Sequence, residues 1–566
     1  MKMRIGEAII VFSLAGSMLA FSGDAVQGMG RSAEQPVPSP RSYLLGVRTS
    51  LDKVIREAPQ PRPKSDLHVS IQAAGNEYEH FQIVLFASER DLENIGIQAT
   101  PLICDDHGTV LDEETISFYR VGYVETKKPV YDVDYIGWYP DPLIPLERMN
   151  VRAGDIQPVW VTVHVPGGTP AGLYQGRIKI HPENEAAETI ELSLNVWEFA
   201  IPEESSLQLV FSLYENCIQD YYQLDEIPST LLRQYYSFLL AHRINPTNLY
   251  LRGKPQPRLE DFKFCASRGL NAMNIAYLYD WDHNDGDKSR FSEEFKRNMK
   301  VSLVETIDFL REQQWKGTAF VYGPDEPNRQ QYNAVKEMFA LVKSIAPDIR
   351  TMLTEAPVRD LHGYVDIWVP RIDDYDESEC RQRQEMGEEI WWYVCAAPHH
   401  PYPNFFVDYP AIDHRILFWL AWKHDVSGFL YYSLNRWMAN YPKNQSRWPE
   451  IPWNTHTWGS HNGDGQLIYP GPEGEPYSSV RFEVIRDGVE DFEYLNLLES
   501  LVKKLAESDM EKRESLLRPA NRLLASISGE TARSLTRYTK DKDQLFTARE
   551  RIAEEILRLG RILKEN

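Results

Sequence analysis

The sequence predicts a multidomain chain: an N-terminal β-sandwich, then a (β/α)8 TIM barrel, then a C-terminal helical extension. Three observations predict it. Short alternating runs with turn residues between them come first. Eight apolar strand-like runs separated by helix-periodic stretches follow. The last part is charged and helix-periodic.

The chain opens with Lys2 and Arg4, an apolar run from Ala8 to Phe21 broken only by Ser and Gly, and small residues around Ser22, Gly23 and Ala25. That order is the secretory pattern, and the apolar core is too short for a permanent anchor. Residues 1–25 are expected to be a signal peptide and the protein to be exported, periplasmic or extracellular. No cysteine follows the apolar core, which argues against a lipid anchor there. Residues 26–42 read as a linker.

Residues 43–202 form the expected sandwich. Runs such as His80–Phe86, Val159–Val165 and Ile190–Val196 are strand-like, and Pro166–Gly172 is a turn between two of them. Residues 203–490 form the expected barrel. Its strand candidates are Leu207–Tyr214, Thr247–Leu251, Ala272–Tyr279, Gly317–Tyr322, Arg350–Thr354, Val365–Val369, Glu389–Cys395 and Gly428–Leu434. Helical spacing joins Phe295, Met299, Leu303, Ile307 and Leu310 on one face, and Tyr332, Val335, Phe339 and Val342 on another. A doubly wound open sheet is the structural alternative. Residues 491–566 form the helical extension, with Leu495, Leu498, Val502 and Leu505 in register.

A formal charge of -22 argues against nucleic acid as a partner, because phosphate binding needs basic surface. No stretch after the leader is long and apolar enough to cross a membrane. The five cysteines, at 104, 217, 265, 380 and 395, are dispersed without CxxC spacing, so they suggest neither a disulfide framework nor a zinc site, though one incidental bridge stays open. The 14 Trp and 30 Tyr supply flat faces suited to sugar rings, although core packing claims most aromatics in any large protein.

Catalytic groups of such barrels sit at the carboxyl ends of the strands. The fourth candidate runs directly into Gly323-Pro324-Asp325-Glu326-Pro327-Asn328. Asn328 can cap the helix behind, with Gln331 three residues on. Successive strand residues point to opposite faces, so Asp325 and Glu326 share a pocket only if the chain leaves the ladder. Pro324 fixes its own torsion and Pro327 is expected to push Glu326 toward an extended conformation. The bland reading is that the pair merely complements a helix N-terminus.

Most retaining glycosidases place two carboxylates roughly 5 Å apart across the sugar ring. Neighbours in sequence, about 3.8 Å apart at their α-carbons, approach from one side instead. Glu355, Asp373 and Asp374 are possible second acids. A same-side pair fits substrate assistance better. Glu326 would protonate the leaving oxygen and then activate water, while Asp325 orients the substrate's own 2-acetamido group as it attacks the anomeric carbon. Partial burial and the neighbouring Asp325 charge are expected to raise the Glu326 pKa for that task.

Around these residues the chain resembles glycoside hydrolase family 123, the β-N-acetylgalactosaminidase family, and its uncharacterised relatives. The resemblance spans nearly the whole mature chain. It rests on Asn76-Glu77-Tyr78-Glu79-His80-Phe81-Gln82, Trp138-Tyr139-Pro140-Asp141-Pro142-Leu143, Pro170–Gly176, His242–Thr247 and Asp325-Glu326-Pro327. Downstream it includes Gly463-Asp464-Gly465, Tyr469-Pro470-Gly471, Ser479–Glu483 and Arg486–Asp491. The resemblance implies a sandwich followed by a barrel, and an adjacent acid pair working by substrate assistance, which maps onto Asp325 and Glu326.

Tyr279 and Trp281 follow the third strand candidate, and Asn435 and Trp437 the eighth; each is a candidate sugar platform or plain packing. His399 and His400 lack a third ligand at zinc spacing, so no metal is expected. Arg481, Asp487 and Asp491 read as a structural ion-pair set at the barrel rim. There is no Gly-rich phosphate loop and no Ser elbow, so no cofactor is implied; the partner implied is a glycan, and the sequence carries no signal of oligomeric state.

The leading reading is a retaining β-N-acetylhexosaminidase releasing terminal N-acetylgalactosamine. A barrel glycosidase with a protein nucleophile, acting on sugars without an acetamido group, is the second. A non-catalytic glycan-binding protein is the third.

Overall fold

The structure is a computed structural model that describes residues 43–57, 67–251, 255–280, 291–442 and 446–565. The expected leader and linker, within residues 1–42, and Trp281 lie outside the described residues.

The sandwich pairs two mainly antiparallel sheets. One holds, in spatial order, Tyr43–Thr49, Glu77–Ala87, Ile156–Val165, Ile116–Glu125 and Trp138–Pro145. The other is built on His68–Gly75, Glu188–Ala200, Gly172–His181, Leu92–Ala99 and Met149–Val151, with His68–Gly75 running parallel to its neighbour. Period-two alternation decides what faces inward. Phe81, Ile83 and Leu85 meet Ile190, Leu192 and Leu194 between the sheets. On the opposite face Trp160, Val121 and Val124 pack into the same core as the barrel helices.

Eight parallel strands follow: Gln208–Ser212, Asn245–Thr247, Ala272–Tyr277, Thr318–Tyr322, Arg350–Leu353, Ile367–Trp368, Glu389–Tyr393 and Gly428–Tyr431. Alternate residues serve two cores. Val210, Phe320, Tyr322, Met352, Ile367, Trp391, Tyr393 and Leu430 fill the barrel interior. Their neighbours Leu209, Val321, Leu353, Trp368, Ile390, Trp392 and Phe429 pack outward under the helices. Both faces are buried, which is why these strands read as continuous apolar runs. Helices Glu293–Glu312 and Tyr332–Ile345 occupy the stretches expected of them, while only a 3-10 turn, Arg359–Leu361, joins the fifth strand to the sixth.

The barrel is nearly closed. The ladder runs from the second strand through the first, eighth and onward to the third, and no ladder joins the second to the third. Asparagine side chains bridge this seam. Asn245 Oδ1 accepts from the Asn271 and Ala272 amides at 2.9 and 3.2 Å, and Asn274 Nδ2 donates to the carbonyls of Asn248 and Leu249 at 3.0 and 2.9 Å. The second strand lies two residues earlier than expected. It contains Pro246; a strand laddered on one side only tolerates the missing N–H.

Val480–Ala506 is the helix behind the eighth strand and continues past position 490 without a break; Arg513–Ser526 and Lys542–Lys564 complete the C-terminal helices. Its first turns are charged yet buried. Arg481 pairs with Asp141 of the sandwich through Nε and Nη2 at 2.9 and 2.8 Å. Arg415 grips Asp491 at 2.6 and 2.8 Å and reaches Asp487 at 3.1 Å. Arg549 joins Glu79 at 2.7 Å, Asp491 at 2.9 Å and Glu77. His80 lies 2.6 Å from Asp487 and 3.1 Å from Glu483; burial opposes its charge, but those carboxylates win and hold its pKa at about 9. Arg481, Asp487 and Asp491 are thus each in a buried ion pair between sandwich and barrel rather than at the rim, but not with one another: Arg481 takes Asp141, and the two aspartates take Arg415. All five cysteines are free.

Candidate active site

The fourth strand ends at Tyr322, whose side chain closes the top of the barrel interior. Gly323 has a φ of +96°, and a Cβ there would meet the Tyr277 ring at 2.8 Å, so glycine is required both by torsion and by space. Pro324 and Asp325 follow. Glu326 has a φ of +44°, the left-handed region, not the extended backbone expected before Pro327. This bend, unfavourable for a residue with a Cβ, takes the chain out of strand alternation. It lets both carboxylates line one hollow of about 290 Å³ with Tyr277, Tyr279, Phe291 and Asn328. Behind it the expected cap is present: Asn328 Oδ1 accepts from the Gln330 amide and Gln331 Oε1 from the Asn328 amide, both at 2.9 Å.

The two acids sit in different surroundings. Asp325 is partly buried, and its Oδ1 accepts hydrogen bonds from Tyr322 and, at 3.0 Å, from Thr354; the Tyr250 hydroxyl approaches Oδ2 at 3.4 Å. Burial raises its pKa above the ordinary aspartate range, the Tyr322 hydroxyl opposes that, and the Glu326 charge adds to it. Glu326 is exposed, so the partial burial expected of it is found at its neighbour instead. Its Oε1 accepts from the Tyr393 hydroxyl at 2.5 Å, and its backbone N–H donates to Thr354 Oγ1 at 2.8 Å.

Tyr250, Tyr322, Thr354 and Tyr393 were not singled out from the sequence. They come from the second, fourth, fifth and seventh strands or the residues just beyond them. A signal was available: Tyr322, Thr354 and Tyr393 continue the inward column two residues after Phe320, Met352 and Trp391. Tyrosine rings pack around the acids, Tyr277 against Tyr322 at 5.6 Å and Tyr279 against Tyr277 at 5.8 Å.

Of the candidate sugar contacts, Tyr279 lines the hollow. Asn435 and Trp437 do not. Both are 0% exposed; the Asn435 amide is taken up by the Tyr214 backbone at 2.8 and 3.0 Å, and the Trp437 indole donates to the Ile468 carbonyl at 3.0 Å. The 463–470 segment covers them, so neither offers a face to a ligand. Asp373 and Asp374 are engaged by Arg371, at 2.5 and 3.3 Å. Glu355 accepts from Tyr332 at 3.1 Å, and burial raises its pKa with a smaller contribution from Glu326. His400 pairs with Asp413 at 2.6 Å and stacks on Tyr409.

The arrangement offers one carboxylate anchored by hydroxyls and a second, adjacent one open to solvent. Sequence profiles now bear on what uses it. The glycoside hydrolase 123 catalytic domain matches residues 262–498, and the glycoside hydrolase 123 N-terminal domain matches residues 53–182. The chain belongs to glycoside hydrolase family 123. As a member of that family it is a glycosidase, with Asp325 and Glu326 inside the matched catalytic domain. Among solved structures, a family 123 glycoside hydrolase from Clostridium perfringens, described in terms of glycolipid glycan hydrolysis, is similar at 15% identity and a TM-score of 0.67, covering 93% of this chain and 99% of that one. A family 39 glycoside hydrolase from Bacteroides cellulosilyticus WH2 is similar at 11% identity and a TM-score of 0.32, covering 74% and 81%. No curated protein matches the chain.

Proposed function

We propose that this family 123 enzyme is an exported, retaining, exo-acting β-N-acetylhexosaminidase that releases terminal N-acetylgalactosamine by substrate assistance. The observation that carries the reading is the left-handed bend at Glu326, which brings two successive carboxylates to one hollow from the same side. Asp325, fixed by Tyr322 and Thr354, would accept the acetamido N–H and steady the positive charge that grows as the acetamido oxygen attacks the anomeric carbon. Glu326, open to solvent, would give its proton to the leaving oxygen and then take one from water. The oxazolinium intermediate forms and is opened without an enzyme nucleophile.

The test is hydrolysis of an aryl β-N-acetylgalactosaminide with and without Glu326→Gln. We expect kcat/KM to fall by about 10²–10⁴. A variant as active as the parent would remove Glu326 from the chemistry.

The second reading, a protein nucleophile acting on sugars without an acetamido group, would use Glu355, which follows the fifth strand. A thiazoline mimic of the oxazoline separates the two: only the substrate-assisted enzyme binds it tightly.

A further inference from the structure

A groove of about 360 Å³ lies between the sandwich and the segment after the eighth barrel strand, and Arg56, Arg120 and Arg152 line it. Arg120 projects from the strand Ile116–Glu125; Arg56 and Arg152 come from the loops beside it. Facing them is the half-buried Trp448, backed by the buried Trp453, with the half-buried Trp138 at the Arg56 end, its ring 5.9 Å from the guanidinium. No residue lines both this groove and the hollow that holds Asp325 and Glu326.

The charge is poorly compensated. Arg56 approaches Asp155 at only 3.8 Å, with both side chains nearly half exposed. Arg120 and Arg152 have no ion-pair or hydrogen-bond partner for their side chains among the described residues. Arg120 is half-buried, and that burial, unopposed by any carboxylate, pushes its pKa down. A half-desolvated guanidinium without an anion is costly, and a bound anion relieves the cost. Two carboxylates also line the groove: Glu450, which is exposed, and Asp155, the one that Arg56 approaches.

Three features define the ligand. The forked guanidinium donors match the paired oxygens of a carboxylate or sulfate. The partly exposed rings of Trp448 and Trp138 suit the apolar side of a pyranose ring. The groove admits a few sugar residues, whereas a nucleic-acid strand needs basic surface that continues beyond it, which a net charge of -22 does not supply. We propose that this groove is a second glycan site, separate from the catalytic hollow, that holds an acidic sugar bearing a carboxylate or sulfate, with Arg120 as its principal contact. The choice of a glycan rests on the glycosidase assignment; the site would hold the acidic part of a branched or extended substrate while another end is cleaved.

The test uses the full chain carrying Glu326→Gln, so that nothing turns over, titrated calorimetrically in low-salt buffer. The probes are a sulfated hexosamine oligosaccharide, a hexuronate-containing oligosaccharide and a neutral one of equal length. At least one acidic probe should bind, the neutral one at least about tenfold more weakly, and Arg120→Gln should lower acidic affinity by about tenfold or more. Which acidic probe binds identifies sulfate or carboxylate. In the active parent, Arg120→Gln should leave cleavage of a small aryl glycoside unchanged, so failure of the catalytic reading and failure of this one are told apart. Equal affinity for acidic and neutral probes, no saturable binding, or parental affinity in a folded Arg120→Gln protein overturns the proposal. Should that variant not fold, Arg152→Gln and Trp448→Ala decide, and unchanged affinity in both overturns it.

Discussion

Asp325 carries an electrostatic cost at the residue that the proposed mechanism uses. Its pKa is raised chiefly by burial, so the folded chain holds its proton to higher pH than the unfolded chain. Ionised Asp325 therefore costs stability. The cost is fully present above the folded pKa and disappears as pH falls through it toward the unfolded value. Asp325→Asn keeps the shape and removes the charge. Its melting temperature, relative to the parent, should be higher at pH 7 than at pH 4, while hydrolysis of the aryl glycoside is lost. Thermal melts at the two pH values check this, and a variant several degrees less stable than the parent at pH 7 would contradict it. If the proposed mechanism holds, the activity of the parent should fall on the acid side at a pH above the ordinary aspartate range, because that mechanism needs Asp325 ionised to accept the acetamido N–H.

At the scale of elements, the helix Val480–Ala506 locks sandwich to barrel through buried charge. Arg481 is fully buried and satisfies both oxygens of Asp141 as well as the carbonyls of Phe405, Gly463 and Gln466. Arg481→Met leaves the buried Asp141 without its cation, with the Tyr469 hydroxyl still donating to it at 2.6 Å, and should cost about 3–5 kcal/mol in urea unfolding. The double change with Asp141→Leu should cost less than the single one, because no lone charge is left behind. That Arg481, Asp487 and Asp491 carry structural charge is legible in the sequence, yet their actual partners, Asp141 and Arg415, and their location are not. Sequence spacing shows that charges recur near a helix start; only the docking of the sandwich decides that they are covered. Likewise Trp437 and Asn435 stand just beyond a strand end, where ligand contacts are expected, but a later segment folds over them.

Over the whole molecule, one continuous hydrophobic core unites Trp160 and Val121 of the sandwich, Phe429 and Trp392 of the barrel, and Leu545 and Ile552 of the last helix. Unfolding should accordingly be a single transition, with tryptophan fluorescence and far-UV circular dichroism coincident in urea; two separated transitions would show that sandwich and barrel fold apart. Much of this architecture is visible in the order of apolar runs, since period-two strands and helical stripes are local signals. The acid pair was visible too, because strand, glycine, proline and carboxylates are contiguous. Its hydroxyl partners were hidden: Tyr393 reaches Glu326 across 67 positions of sequence, a meeting that only the closure of the barrel arranges.

That closure is incomplete, and the place where it stops matters. The wall of the barrel is a hoop laced by backbone everywhere except one gap, which is stitched by the amide groups of Asn245 and Asn274. Stitches of this kind can be undone one at a time, whereas a ladder yields only as a row. Amide hydrogens along 271–276 should therefore exchange faster than those of the seventh and eighth strands, as hydrogen-exchange mass spectrometry would read. Tyr250, which reaches toward Asp325, stands just beyond the loosest part of the hoop, so slack in the lacing would be felt first at the anchored acid.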